Sequence, residues 1–106
     1  MVDVKAKLWL ENEGVFILSS GRADILRKIQ ETGSISEAAK SMSMSYSHAW
    51  SQLREMSNAA GGNLVETSRG GKMGGSTHLT KLGKEILKIF DEEMEKMDRH
   101  LAERNG

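Results

Sequence analysis

A mainly α (α+β) fold is predicted for this chain of 106 residues, and three observations predict it. Residues 4–18 alternate apolar and polar positions around a glycine turn, which is the period of a β-hairpin. Residues 33–50, GSISEAAKSMSMSYSHAW, set a small-residue helix, a polar break and a second helix bearing aromatics within one short stretch. From Thr80 onward, apolar residues recur every three or four positions, the mark of one long amphipathic helix.

Each element has its own warrant. In the hairpin, Ala6, Leu8 and Leu10 share one face, and Lys5, Lys7, Trp9 and Glu11 the other. Asn12-Glu13-Gly14 supplies the turn, and Val15 to Leu18 return as the second strand. Two strands alone are marginal in water, so the hairpin must pack on something. A first helix is expected from about Gly21 to Glu31, with Ala23, Leu26, Ile29 and Ile25 as its apolar stripe and Gly33 as its stop. The second helix opens at Ser34 or Ser36. Ser34 with Glu37 matches a capping box, and Ser36 is an equally good N-cap. Ala38 and Ala39 allow another helix to approach closely. Met42-Ser43-Met44 then breaks the run without glycine or proline, leaving Met44 to point inward and Ser45 to cap the next helix.

The third helix is expected from about Tyr46 to Ala60. Ala49, Leu53, Met56 and Ala60 face inward at spacings of four, three and four, and Trp50 beside them is assigned to the core as a packing anchor. Ser47, His48, Ser51, Gln52 and Glu55 face outward. Gly61-Gly62 ends the helix. Leu64 to Ser68 and Ser76 to Leu79 are short strands around the loop from Gly70 to Gly75. Thr80 caps a last helix reaching Arg104, which at 1.5 Å per residue is roughly 35 Å long, too long for a domain of this size to cover. Its stripe of Ile86, Phe90, Met94, Met97 and Leu101 is expected to run past any intramolecular partner and to bury against a second copy, making a homodimer.

One domain accounts for the length: a hairpin over 1–19, helix-turn-helix and wing over 20–79, and the long helix over 80–106. A hydrophobic share of 38% with 28% charged residues is that of a soluble globular chain. Cysteine is absent, which excludes disulfides and thiolate metal sites and points to a reducing compartment, hence the cytoplasm. No apolar run approaches the ~18 residues of a membrane span, and no signal-peptide h-region opens the chain. The net charge is zero, yet its distribution is not even. Residues 40–84 carry six bases (Lys40, Arg54, Arg69, Lys72, Lys81, Lys84) against two acids, whereas residues 85–106 carry seven acids against four bases. The central segment is therefore the part able to displace counterions from phosphates.

Catalysis has no residues to stand on. His48, His78 and His100 share no ligand spacing, no serine has a histidine and an acid in a recognisable arrangement, and no cofactor or metal is expected. The glycine loop is not a phosphate-binding loop of the nucleotide-hydrolysing type, because Lys72 is followed by Met73 and no helix opens after it. What remains is nucleic-acid chemistry. Serine, glutamine, histidine and tyrosine donate and accept at base edges and phosphates, and the third helix shows them without lysine–glutamate pairs. Candidate DNA-binding residues are Ser34, Ser36, Ser45, Tyr46, Ser47, His48, Ser51 and Gln52, with Arg69, Gly70, Gly71 and Lys72 as a wing along the backbone or minor groove. Tyr46 is either partly buried or hydroxyl-bonded to the backbone of the nucleic acid. The competing reading is a protein-interaction module that has lost DNA binding and recruits a partner regulator through the long helix.

These residues together resemble the N-terminal DNA-binding domain of the ModE family, the molybdate-responsive transcription regulators, itself related to the winged helix of LysR-type regulators. The matching pieces are GSIS at 33–36, AAK at 38–40, SY at 45–46, AW at 49–50, EM at 55–56, LVE at 64–66, GGK at 70–72, GG at 74–75 and LT-x-x-G at 79–83. The resemblance implies a winged helix-turn-helix that dimerises through its terminal helix and reads double-stranded DNA as two inverted half-sites. Members often have a basic residue where this chain has Ser47. The family's molybdate-binding module lies beyond the position of Gly106, so the expectation is either a stand-alone DNA-binding domain or one whose sensor is a separate chain.

Overall fold

The computed structural model describes residues 1–68 and 76–106. In chain order its elements are β1 (Leu10–Asn12), β2 (Val15–Leu18), α1 (Ser20–Thr32), α2 (Ile35–Ser41), α3 (Tyr46–Ala60), β3 (Val65–Ser68), β4 (Ser76–Leu79) and α4 (Lys81–Asn105). The strands form two separate antiparallel hairpins, β1–β2 and β3–β4. This is the expected winged helix-turn-helix: three helices, a second hairpin in the wing position, and a long terminal helix.

The helices begin and end where local chemistry dictates. Ser34, Ser45 and Thr80 each accept a hydrogen bond from the backbone N–H three residues on, satisfying one orphan donor of α2, α3 and α4 respectively. Of the two proposed caps for α2, Ser34 is the one used. Gly33 and Gly61 close α1 and α3 in the left-handed conformation, at φ 71° and 82°. The Gly33 carbonyl then accepts from the Thr77 N–H at 2.8 Å, tying the end of α1 to β4. In the first hairpin, Glu13 and Gly14 both have positive φ (49° and 82°), as a two-residue turn matched to strand twist requires.

A single core joins all elements. Leu18, Ile25, Leu26, Ile29, Met56 and Leu64 are its largest fully buried side chains, and Ala38, Ala39 and Ala49 let α2 and α3 meet closely. Ile17 and Leu18 carry β2 into this core, and the Asn12 side-chain amide donates to the Ala59 carbonyl at 3.0 Å, so the hairpin is anchored on α3. Gly83 explains the glycine of LT-x-x-G: a Cβ there would overlap the Leu64 carbonyl, the group to which the Thr80 N–H donates at 2.9 Å.

Three expectations are corrected. The first strand is shorter than its alternation predicts, because β2 offers only four residues to pair with. Ahead of it, the Val4 N–H and carbonyl bond the Asn105 side chain at 2.9 and 3.0 Å, and Ala6 is exposed. Ile86 and Phe90 do not continue an uncovered stripe; at 7% and 3% exposure they belong to the protomer's own core. Only Met94, Met97 and Leu101 remain half-buried, along the half of α4 whose last turn carries Asn105. Trp50 is not in the core: it is 45% exposed. Its place on α3 is one step beyond the buried stripe of Ala49, Leu53 and Met56, so the indole emerges on the flank. Among the described residues no helix is long and apolar enough to cross a membrane.

Candidate nucleic-acid interface

The site begins with the link between α2 and α3. Ser43 adopts φ 54°, taking a left-handed turn where glycine is the easier residue. The Met44 N–H reaches back to the Ala39 carbonyl at 3.0 Å, and Met44 packs on the core. This turn aims the N-terminus of α3 outward, with the Ser45 hydroxyl bonded to the His48 N–H at 3.1 Å.

Because Ala49, Leu53 and Met56 are buried, the opposite face of α3 is fixed. Ser47 and Ser51 lie at its centre, and Asn58 continues their line toward the C-terminal end. On one flank the His48 imidazole and Gln52 amide are in contact at 3.0 Å (Nε2 to Nε2). On the other flank are Trp50 and Arg54, with Tyr46, 52% exposed, a turn before them. Tyr46 is therefore exposed, not partly buried. Glu55, the acid on this helix, is engaged by Arg22 of α1 at 2.5 Å, which offsets its negative charge near the presented face. Arg22 in turn lies over the Phe16 ring, 5.3 Å from its centroid.

The structure thus brings Ser45, Tyr46, Ser47, His48, Ser51 and Gln52 onto one helix, mostly on its solvent side. Ser34 and Ser36 sit at the start of α2, Ser34 occupied as a cap and Ser36 exposed. Arg69, Gly70, Gly71 and Lys72 lie outside the described residues. The strands that lead to them are paired in register from Val65–Leu79 to Ser68–Ser76, with Glu66 and His78 in contact at 2.9 Å. Arg54 was missed by sequence reasoning. Its signal was available, since it stands seven residues after Ser47 and is the one cation of α3.

A helix-turn-helix whose second helix turns polar, mostly uncommitted side chains to solvent, beside a short hairpin, defines a winged-helix DNA-binding protein. The sequence profile of the lysR family of bacterial regulatory helix-turn-helix proteins matches residues 22–84, more than half of the chain, and the chain belongs to that family. It is a family of DNA-binding regulators, not enzymes. Residues of the chain are 41% identical over 70 positions to a protein of Yersinia pestis named transcriptional regulator ModE, covering 66% of this chain and 27% of that one. They are 36% identical over 85 positions to the molybdenum transport protein ModE of Azotobacter vinelandii, covering 80% and 32%. The resemblance to the DNA-binding domain of ModE-like regulators therefore holds. The chain spans only about a quarter to a third of the length of these curated relatives. Among solved structures, the crystal structure of ArgP from Mycobacterium tuberculosis superposes with a TM-score of 0.61 over 81% of this chain and 30% of that one; at 19% identity the likeness is one of fold.

Proposed function

We propose that this chain is a transcription regulator that binds duplex DNA as a homodimer in the cytoplasm, each protomer laying α3 in a major groove of one of two inverted half-sites. The observation that carries this reading is the outward face of α3, where Ser47, His48, Ser51 and Gln52 stand on a helix whose other side is locked into the core. Ser45 and the first-turn amides of α3 would hold a phosphate, and Arg69 and Lys72 of the connecting loop would add backbone charge. Met94, Met97 and Leu101 on α4 are the residues left for the dimer contact. The names of the ModE relatives, one of them a molybdenum transport protein, support a link to molybdate or tungstate transport or metabolism. The interaction-module reading is not favoured, since the family match covers the helix-turn-helix and both wing strands.

Selection of bound sequences from a random duplex library tests the proposal. An inverted repeat with half-site centres about 10 base pairs, or a multiple, apart is expected. Recovery of unenriched sequence would overturn it.

A further inference from the structure

We propose that Trp50 and Arg54 form a preset clamp for one strand of the DNA backbone, on the flank of α3 that faces β3. This inference rests on the reading of α3 as the groove-bound helix. At 100° per residue, Arg54 and Trp50 lie about 60° and 100° round the helix from Ser51, while His48 and Gln52 lie about as far round on the other side. A helix about 10–12 Å across fills a major groove about 12 Å wide, so a central stripe of Ser47 and Ser51 faces base edges and the two flanks face the sugar–phosphate walls. On the His48–Gln52 flank the cation is Arg22 of α1, and it is already paired with Glu55. The Trp50–Arg54 flank carries the one that α3 has.

The geometry there is built in advance of any ligand. The Arg54 guanidinium lies over the Trp50 ring, 5.4 Å from its centroid. Among the described residues no carboxylate pairs with Arg54, in contrast to Arg22, Arg27 and Arg99. Tryptophan as a residue type favours burial, yet this indole is 45% exposed and lies against the arginine side chain. Both residues line a groove of about 360 Å³ between α3 and β3, shared with Asn58, Asn63 and Thr67. The acid in this groove, Glu66, contacts His78 on β4 at 2.9 Å. A guanidinium restrained on a ring loses less side-chain freedom when it meets a phosphate, and its planar fork suits two phosphate oxygens. The indole face supplies an apolar surface for the adjoining deoxyribose.

The experiment is fluorescence anisotropy with a selected duplex over a series of KCl concentrations, using Arg54→Ala, Arg54→Lys, Trp50→Leu and, as a control on the α4 solvent face, Lys88→Ala. Each lost phosphate contact lowers the slope of log affinity against log salt by about one unit, so Arg54→Ala, which removes one contact in each protomer, should lower it by about two for the dimer while weakening binding alike on different sequences. Arg54→Lys should keep the slope. Trp50→Leu should keep the slope and weaken binding about two- to fivefold, the value of an exposed cation–π contact. Lys88→Ala should match the wild type. An unchanged slope in Arg54→Ala, or relaxed preference at a single base pair, would overturn the clamp while leaving DNA binding by α3 intact. Failure of the wild-type chain to bind any duplex would overturn the functional reading and the clamp with it.

Discussion

α3 and α4 are both amphipathic helices capped by a hydroxyl, yet their exposed faces are built to opposite ends. On α4 three cations are spent on acids of the same helix: Lys96 meets Glu93 at 3.0 Å, Arg99 meets Glu95 at 2.7 Å, and Lys88 meets Glu92 at 3.9 Å. Such exposed pairs contribute little to stability, but from Lys88 to Arg99 they leave each cation of α4 with a partner of its own. On α3 no ion pair forms within the helix. Its acid is drawn away by Arg22, its cation rests on an aromatic ring, and Ser47 and Ser51 are exposed. The difference separates a face turned only to solvent from the face proposed to read DNA. Amphipathicity is common to both; what differs is whether the polar groups already have partners.

The largest effect expected on breaking this comparison lies in the first half of α4. Phe90→Ala should cost about 3–5 kcal/mol of stability in urea denaturation, because the ring is in the protomer's core. A midpoint equal to that of the wild type would return Phe90 to the surface. Next, Met97→Asp with Leu101→Asp should leave the fold intact while raising the dimer dissociation constant at least about a hundredfold, since it would bury unpaired carboxylates. Sedimentation at micromolar concentration measures this, and a persistent dimer would move the interface elsewhere. A smaller change tests the faces directly. Ser51→Glu should weaken DNA binding at least about tenfold by setting a carboxylate against the duplex, whereas Lys88→Glu should stay within about twofold. Equal losses in the two variants would erase the distinction drawn between α3 and α4. Smallest of all, Ser43→Gly should add up to about 1 kcal/mol of stability by relieving the left-handed residue in the α2–α3 link, with the melting temperature as readout.

What was legible in the sequence was mostly local. The caps Ser45 and Thr80 and the stops Gly33 and Gly61 act within one turn of their own position, so the helices they bound came out within a residue or two of the expectation. The outward face of α3 was equally legible, because Ala49, Leu53 and Met56 fix it by spacing alone. The misses depend on contacts distant in the chain. Residues 4–9 alternate like a strand, but the groups that bind Val4 belong to Asn105. Ile86 and Phe90 continue the same stripe as Met97 and Leu101, and only the placement of the other elements decides where on α4 the core stops. Trp50 was assigned by its residue type, which favours burial, when its angular position next to Arg54 favoured the surface. Ser43 carries no sequence signal for its positive φ.

On the proposed function α3, and not α4, meets DNA. The most direct measurement is a ¹H–¹⁵N correlation spectrum of the chain recorded during titration with the selected duplex. Amide shifts should concentrate on residues 45–58, while the solvent face of α4 from Lys88 to Glu103 stays in place. Shifts gathered on that face of α4, with the amides of Ser47, His48 and Ser51 unmoved, would contradict it.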